Sequence, residues 1–268
     1  MGWQIVRHSF ALLGRNLGAA ARASLGPILI AVLVILLIGA ASGVSPAALA
    51  ALDPANPAAP GLAGGALLVG LATLLVVLFV SAWVAVTWHR YVLLEEEPAL
   101  VPALGGRPVW PYLGRTIVLS IVLILCAIPL SFVTGLVAAP FIGADPGAGT
   151  APAPGFGPAF VIGVLFAAVL TWLWLRFGLI LPATAVGQPM RMGESWARTK
   201  PAAGAIFLAT LILMAITFAA GIVVDLALGG TILATILSLL VNWVSLMVGI
   251  SILTTLYGHL VEGREIPR

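Results

Sequence analysis

Charge is what this sequence has least of. Asp, Glu, Lys and Arg together make up 8% of its 268 residues, against about 25% in an ordinary soluble domain. A water-soluble globule needs those groups on its surface, so the deficit excludes one. Cysteine is almost as scarce. Cys126 stands alone inside an apolar run, which excludes a disulfide framework and a zinc-type cysteine cluster. Lysine occurs once, against eleven arginines, and with the abundant Ala and Gly this bias suggests a GC-rich bacterial genome. The signatures GxxxxGK[ST], HExxH, CxxC and GxSxG are all missing, which removes the usual nucleotide, zinc and serine-hydrolase chemistries. The sequence therefore assigns no catalytic residue, no metal ligand and no cofactor, and no nucleic acid is expected among its partners.

What remains is hydrophobic. Apolar residues make up 62% of the chain, and several unbroken runs exceed the roughly 18 residues that mark a bilayer-spanning helix. The reading is an all-α, polytopic transmembrane helical bundle, one transmembrane domain over 1–268. Six spans are expected at about 25–44, 64–88, 114–138, 159–181, 203–228 and 231–257. Two Pro/Gly/Ala-rich stretches, SPAALAALDPANPAAPGLAGG and APFIGADPGAGTAPAPGFGP, separate spans one from two and three from four. They read as irregular loops outside the membrane. Gly229 and Gly230 alone join the last two spans, a tight helical hairpin, and Pro129 should kink the third span by removing a backbone donor.

Under that layout all twelve Lys and Arg residues fall on one side. Arg7, Arg15 and Arg22 precede the first span; Arg90, Arg107 and Arg115 flank the loop between the second and third. Arg176, Arg191, Arg198 and Lys200 surround the end of the fourth, and Arg264 and Arg268 close the chain. The other side holds Asp53, Asp145 and Asp225 and no basic residue. The positive-inside rule then puts both termini in the cytoplasm, with the protein multi-pass in the bacterial inner membrane. Ahead of the first span, residues 2–22 read as an amphipathic interfacial helix. Trp3, Val6, Phe10, Leu13 and Leu17 form an apolar stripe, and Arg7, Arg15 and Arg22 face anionic headgroups. A signal peptide with cleavage in the Ala-rich stretch at 45–50 is the competing reading, and the patterned segment argues for retention.

Trp3, Trp88, Trp110, Trp174 and Trp196, with Tyr91, Tyr112 and Tyr257, cluster near the basic boundary and read as an anchoring belt. Two span ends share the order Trp-x-Arg-aromatic-x-Leu-aliphatic, at 88–94 and 174–180, and the sixth ends on a looser version, Tyr257-Gly258-His259-Leu260. The echo suggests three stacked hairpins. It also predicts that Arg90 and Arg176 sit equivalently at headgroup depth, their side chains reaching outward.

The stretch WLRFGLILPATAVGQPMRMGESWARTK, residues 174–200, reads as an elbow where the chain leaves and re-enters the membrane. Pro182 and Gly187 break the helix, and a short surface helix follows in which Glu194 and Arg198 are spaced for an intrahelical pair. Arg176, Arg191 and Arg198 are also suited to holding a phosphate. The run resembles the membrane domain of some bacterial glycerophosphodiester phosphodiesterases and its stand-alone relatives. Arg176, Pro182, Ala183, Glu194, Ser195 and Thr199 fit that family's outline of an Arg-x-x-x-x-x-Pro-Ala elbow, a Gly turn and a short Glu/Ser/Trp-type helix. The likeness covers about 30 residues well, and the six-span layout loosely. The soluble catalytic barrel of those enzymes has no counterpart here, so the resemblance implies a membrane module of unassigned role rather than a hydrolase.

Within the membrane, Asn242 lies near the middle of the sixth span and is expected to bond to a neighbouring helix. Asp225 lies near the far end of the fifth and is expected to reach water. Glu95, Glu96 and Glu97 read as solvated charge at headgroup level. Three functions follow in order: a non-catalytic scaffold, assembly or envelope-homeostasis factor; a transporter or lipid-handling protein, which needs Asn242, Thr217 or Asp225 to converge on a polar cavity; and an enzyme with a constellation around His89, Glu95 and Arg176. The expected partners are the phospholipid bilayer and other membrane proteins.

Overall fold

A computed structural model describes residues 1–43, 60–141 and 157–266. The greater part of both Pro/Gly/Ala-rich loops, with Asp53, Asp145, the Ala-rich stretch at 45–50 and Arg268, lies outside the described residues. Every regular element within them is helical: α1 (Gly2–Arg15), α2 (Leu17–Ser42), α3 (Pro60–Leu94), α4 (Val109–Ala138), α5 (Pro158–Phe177), α6 (Ile180–Ala185), α7 (Met192–Thr199), α8 (Ala203–Leu228) and α9 (Ile232–Leu260). Six stretches are long and apolar enough to cross a membrane, in α2, α3, α4, α5 with α6, α7 with α8, and α9. The chain is a multi-pass membrane protein of helical-bundle class.

Hydrophobicity finds all six spans, but several helices run past the expected ends: α2 begins at Leu17 rather than 25, and α4 at Val109 rather than 114. The second runs on from the expected residue 88 to Leu94 because Trp88 and His89 are buried among protein side chains and do not mark an exit. The fourth breaks at Gly178 and Leu179, ahead of Pro182. Pro182 is the third residue of α6, where no intrahelical N–H bond is lost. Pro129 lies within the uninterrupted α4.

Two compact units divide the chain, Asn16–Leu113 and Met1–Arg15 with Gly114–Arg268. In the first, α2 packs along α3. In the second, α1 lies against α8 and α9, α5 packs on α8, and α8 and α9 form the expected hairpin. The hairpin turns at Gly229 and Gly230, the latter at φ +78°. The Thr231 hydroxyl then caps α9 by accepting from the Ala234 N–H at 3.1 Å. The exposed Ile124, Leu125, Ile128 and Phe132 give α4 an apolar outer surface suited to lipid.

The N-terminal helix ends sooner than the expected 2–22. It stops at Arg15, and residues 17–22 open α2. Its protein-facing side is Gly2, Ile5, Val6, Ser9 and Leu13, whereas Trp3 and Leu17 are exposed. A Cβ at Gly2 would lie 2.8 Å from the Ala205 carbonyl oxygen, so glycine allows this close docking on α8. Farther along, the Ser9 and Thr255 hydroxyls meet at 3.4 Å.

Candidate functional site

Four buried polar side chains, Arg176, Thr184, Ser195 and Thr199, lie in the elbow at 174–200. Because α5 ends at Phe177, the Arg176 carbonyl belongs to the last turn, whose acceptors lack an intrahelical partner. Helix α7 supplies one: the Ser195 hydroxyl donates to it at 2.6 Å, and the Thr199 hydroxyl lies 3.3 Å away. The Arg176 side chain turns the same way. Its Nε donates to Thr199 Oγ1 at 3.3 Å and its Nη2 to the Trp196 carbonyl at 3.0 Å. The guanidinium lies over the Trp196 ring, 3.4 Å from the centroid, with Trp172 at 5.1 Å. Phe177 stacks on the other side of the arrangement, 4.9 Å from Trp196, and the Trp172 indole donates to the Ala203 carbonyl at 2.9 Å. Arg176 is only 4% exposed. It does not reach outward to headgroups as the shared exit motif predicts. An enclosed cation is tolerated where hydrogen-bond acceptors and aromatic faces replace water, and here the acceptors and the nearer ring come from the segment that follows it.

The rest of the elbow serves the same end. Pro182, Ala183 and the whole of α6 are buried. Glu194 does not pair with Arg198; its carboxylate accepts from the Arg191 N–H at 3.0 Å, capping the start of α7. Arg115 donates to the Met190 carbonyl at 2.7 Å. Arg176, Ser195 and Thr199, three of the residues that carry the resemblance, thus meet in one folded corner, with Arg191 and Arg198 exposed.

A second polar cluster belongs to the Asn16–Leu113 unit. His89 is fully buried and hydrogen-bonds through Nε2 to the Tyr112 hydroxyl at 3.2 Å. Glu96 lies between two arginines: Arg90 donates to it through Nε at 2.9 Å and through Nη2, and Arg107 Nη2 lies 3.6 Å away. The bond from Arg90, together with both cationic charges, holds the Glu96 carboxyl below its ordinary range against the opposing effect of partial burial. Arg22 pairs with Glu97 at 3.3 Å on an exposed surface, and the Tyr91 hydroxyl donates to Asn16 Oδ1 at 2.7 Å. The glutamate run is therefore not uniformly solvated charge. Glu96 and Glu97 have separate arginine partners, and Glu95 takes the positive φ of 58° that turns the chain.

The remaining candidates stay apart. Arg7 and Arg15 are exposed on α1, where burial and the charge of Arg15 lower the pKa of His8. Asp225 is exposed and lines an open cleft of about 510 Å³ with Thr231, Thr235 and Ser238 at the hairpin turn. Asn242 is exposed and absent from that lining, and Thr217 instead meets Ser245 at 3.3 Å. The convergence that a transport cavity requires is not formed by these three. The His89 ring is enclosed with Tyr112, while Glu95 is exposed. No group of three His, Cys, Asp or Glu side chains suited to a metal occurs among the described residues. The aromatic belt also divides. Trp3 and Trp110 are exposed, but Trp88, Tyr112 and Tyr257 are core.

These features define a class: a polytopic α-helical membrane protein whose buried polar side chains tie helix ends to one another. No family model, curated protein or solved structure matches the chain.

Proposed function

We propose that the protein is a non-catalytic component of the bacterial inner membrane, acting as a scaffold, assembly or envelope-homeostasis factor, with both termini in the cytoplasm. One observation carries the reading. The groups at the elbow that could do chemistry are engaged in holding it shut: Arg176 by Thr199 and Trp196, Ser195 by the Arg176 carbonyl, and Glu194 by the start of α7. The contacts of Arg176 with Ser195 and Thr199, three of the residues that carry the resemblance, support kinship with the membrane domain of glycerophosphodiester phosphodiesterases. In this reading they are a folding motif.

Complementation measured against folded abundance tests the proposal. In a strain lacking the protein and sensitised to envelope stress, Ser195→Ala, Thr199→Val and His89→Gln should each restore growth in proportion to the folded protein present. A variant at full folded abundance that restores nothing would identify a catalytic group and overturn the reading. A lipid-handling role has one observation in its favour, the outward placement of Arg191 and Arg198 on α7. Arginines so placed can meet lipid phosphates.

A further inference from the structure

The segment joining α3 to α4 turns back along the helix it has just left. Its contacts register this on α3, position by position. Glu96 meets Arg90, its N–H bonding to the Arg90 carbonyl at 3.4 Å and its carboxylate to the Arg90 side chain. Six residues on, the Pro102 carbonyl accepts from the Trp83 indole at 3.1 Å. The chain then climbs again, and Arg107 Nη1 donates to the Thr87 hydroxyl at 3.4 Å. The partners run 90, 83, 87, a descent and a return. At 1.5 Å per residue the lowest point lies about 10 Å along the helix axis below Arg90. Helix α2 gives the same answer independently. Arg22 pairs with Glu97, whereas Gly26, about 6 Å deeper along α2, faces Leu100. A Cβ on Gly26 would overlap the Leu100 carbonyl oxygen, so the backbones touch where only glycine leaves room.

The neck of this excursion is tied by charge, with Glu96 before the dip and Arg107 after it 3.6 Å apart. Its lower part carries none. Residues 98–104 read PALVPAL, with Pro98 and Pro102 buried against the helices and Leu100, Val101 and Leu104 58%, 54% and 43% exposed. Leu100 and Val101 lie beside Gly26, below the layer of ion pairs and level with the part of α2 whose own exposed residues, Leu25 and Leu29, are apolar. Irregular backbone is costly in hydrocarbon because its polar groups go unpaired. Two prolines without an N–H, and a carbonyl taken up by Trp83, reduce that cost.

We propose that residues 98–104 form a re-entrant wedge, seated among the acyl chains of the leaflet at the Arg22 and Arg90 end of α2 and α3, with the Glu96–Arg107 pair closing it at headgroup level. The occupant of its exposed face is lipid hydrocarbon. Spin labels test this in vesicles of phosphatidylethanolamine and phosphatidylglycerol. In a Cys126→Ala background, labels on Leu100→Cys and Val101→Cys should be accessible to oxygen and shielded from a nickel chelate, matching a label on the lipid-facing Leu29→Cys. A label on Gly105→Cys should show the reverse. Exposure of positions 100 and 101 to the nickel chelate would place the loop in water. Shielding from both reagents would show that protein covers it, and either result overturns the wedge. The unmodified protein provides a second measurement. Amides at 99–101 and 103–104 should exchange with deuterium at least tenfold more slowly in vesicles than those of Gly105 and Gly106, and equal rates would contradict the proposal.

Discussion

Arg176 shows what a single residue can and cannot disclose. Its neighbours, a tryptophan two before and an aromatic one after, repeat those of Arg90, and the repeat suggests equivalent anchors. The structure gives the two arginines different partners, Glu96 for Arg90, and Thr199 with the Trp172 and Trp196 rings for Arg176. The deciding groups lie 20 and 23 residues away across a turn, outside any local pattern. Arg176 meets Ser195 and Thr199, which lie in the same 174–200 stretch of sequence. An anchoring arginine would tolerate lysine; this one should not. Lysine has no planar guanidinium to stack on an indole and no fixed fork to reach Thr199 and the Trp196 carbonyl together. Arg176→Lys is therefore expected to destabilise the protein by about 1–3 kcal/mol, read as a lowered thermal midpoint in detergent, with Arg90→Lys milder. Equal midpoints for wild type and Arg176→Lys would return the residue to a headgroup role.

At the scale of the element, hydrophobic length located the spans, because it reports transfer into lipid directly. It could not report how connecting segments fold. The stretch 95–108 has no period and reads as charge followed by a Pro/Gly loop, yet it is pinned at Arg90, Thr87, Trp83 and Gly26. A pH dependence follows. Glu96 has its pKa lowered in the folded state, chiefly by the bond from Arg90. The stabilisation it provides is present above the ordinary carboxyl value of 4.5 and is lost as pH falls through the depressed folded value. The neck should open in acid, as pH falls below 4.5 and through the depressed folded value, seen as faster deuterium exchange at 97–106 relative to the unfolded chain at the same pH. Glu96→Gln should show that fast exchange already at pH 7, with no further change in acid. Unchanged exchange in the variant would mean that the pair does not hold the loop.

For the whole molecule, composition alone settled the class, because a chain with so few charges and six long apolar runs has one compatible solvent. Orientation rests on the placement of twelve basic residues, a bias the fold is compatible with but does not itself produce. The proposed topology, with both termini in the cytoplasm, rests on that bias and stands or falls with it. The direct measurement is labelling of single cysteines in intact spheroplasts with a membrane-impermeant maleimide, in a Cys126→Ala background. Ala55→Cys and Ala148→Cys should label from outside, whereas Gly105→Cys and Glu265→Cys should label only after the membrane is opened. Labelling of Glu265→Cys in intact spheroplasts, or protection of Ala148→Cys, would contradict the proposed topology.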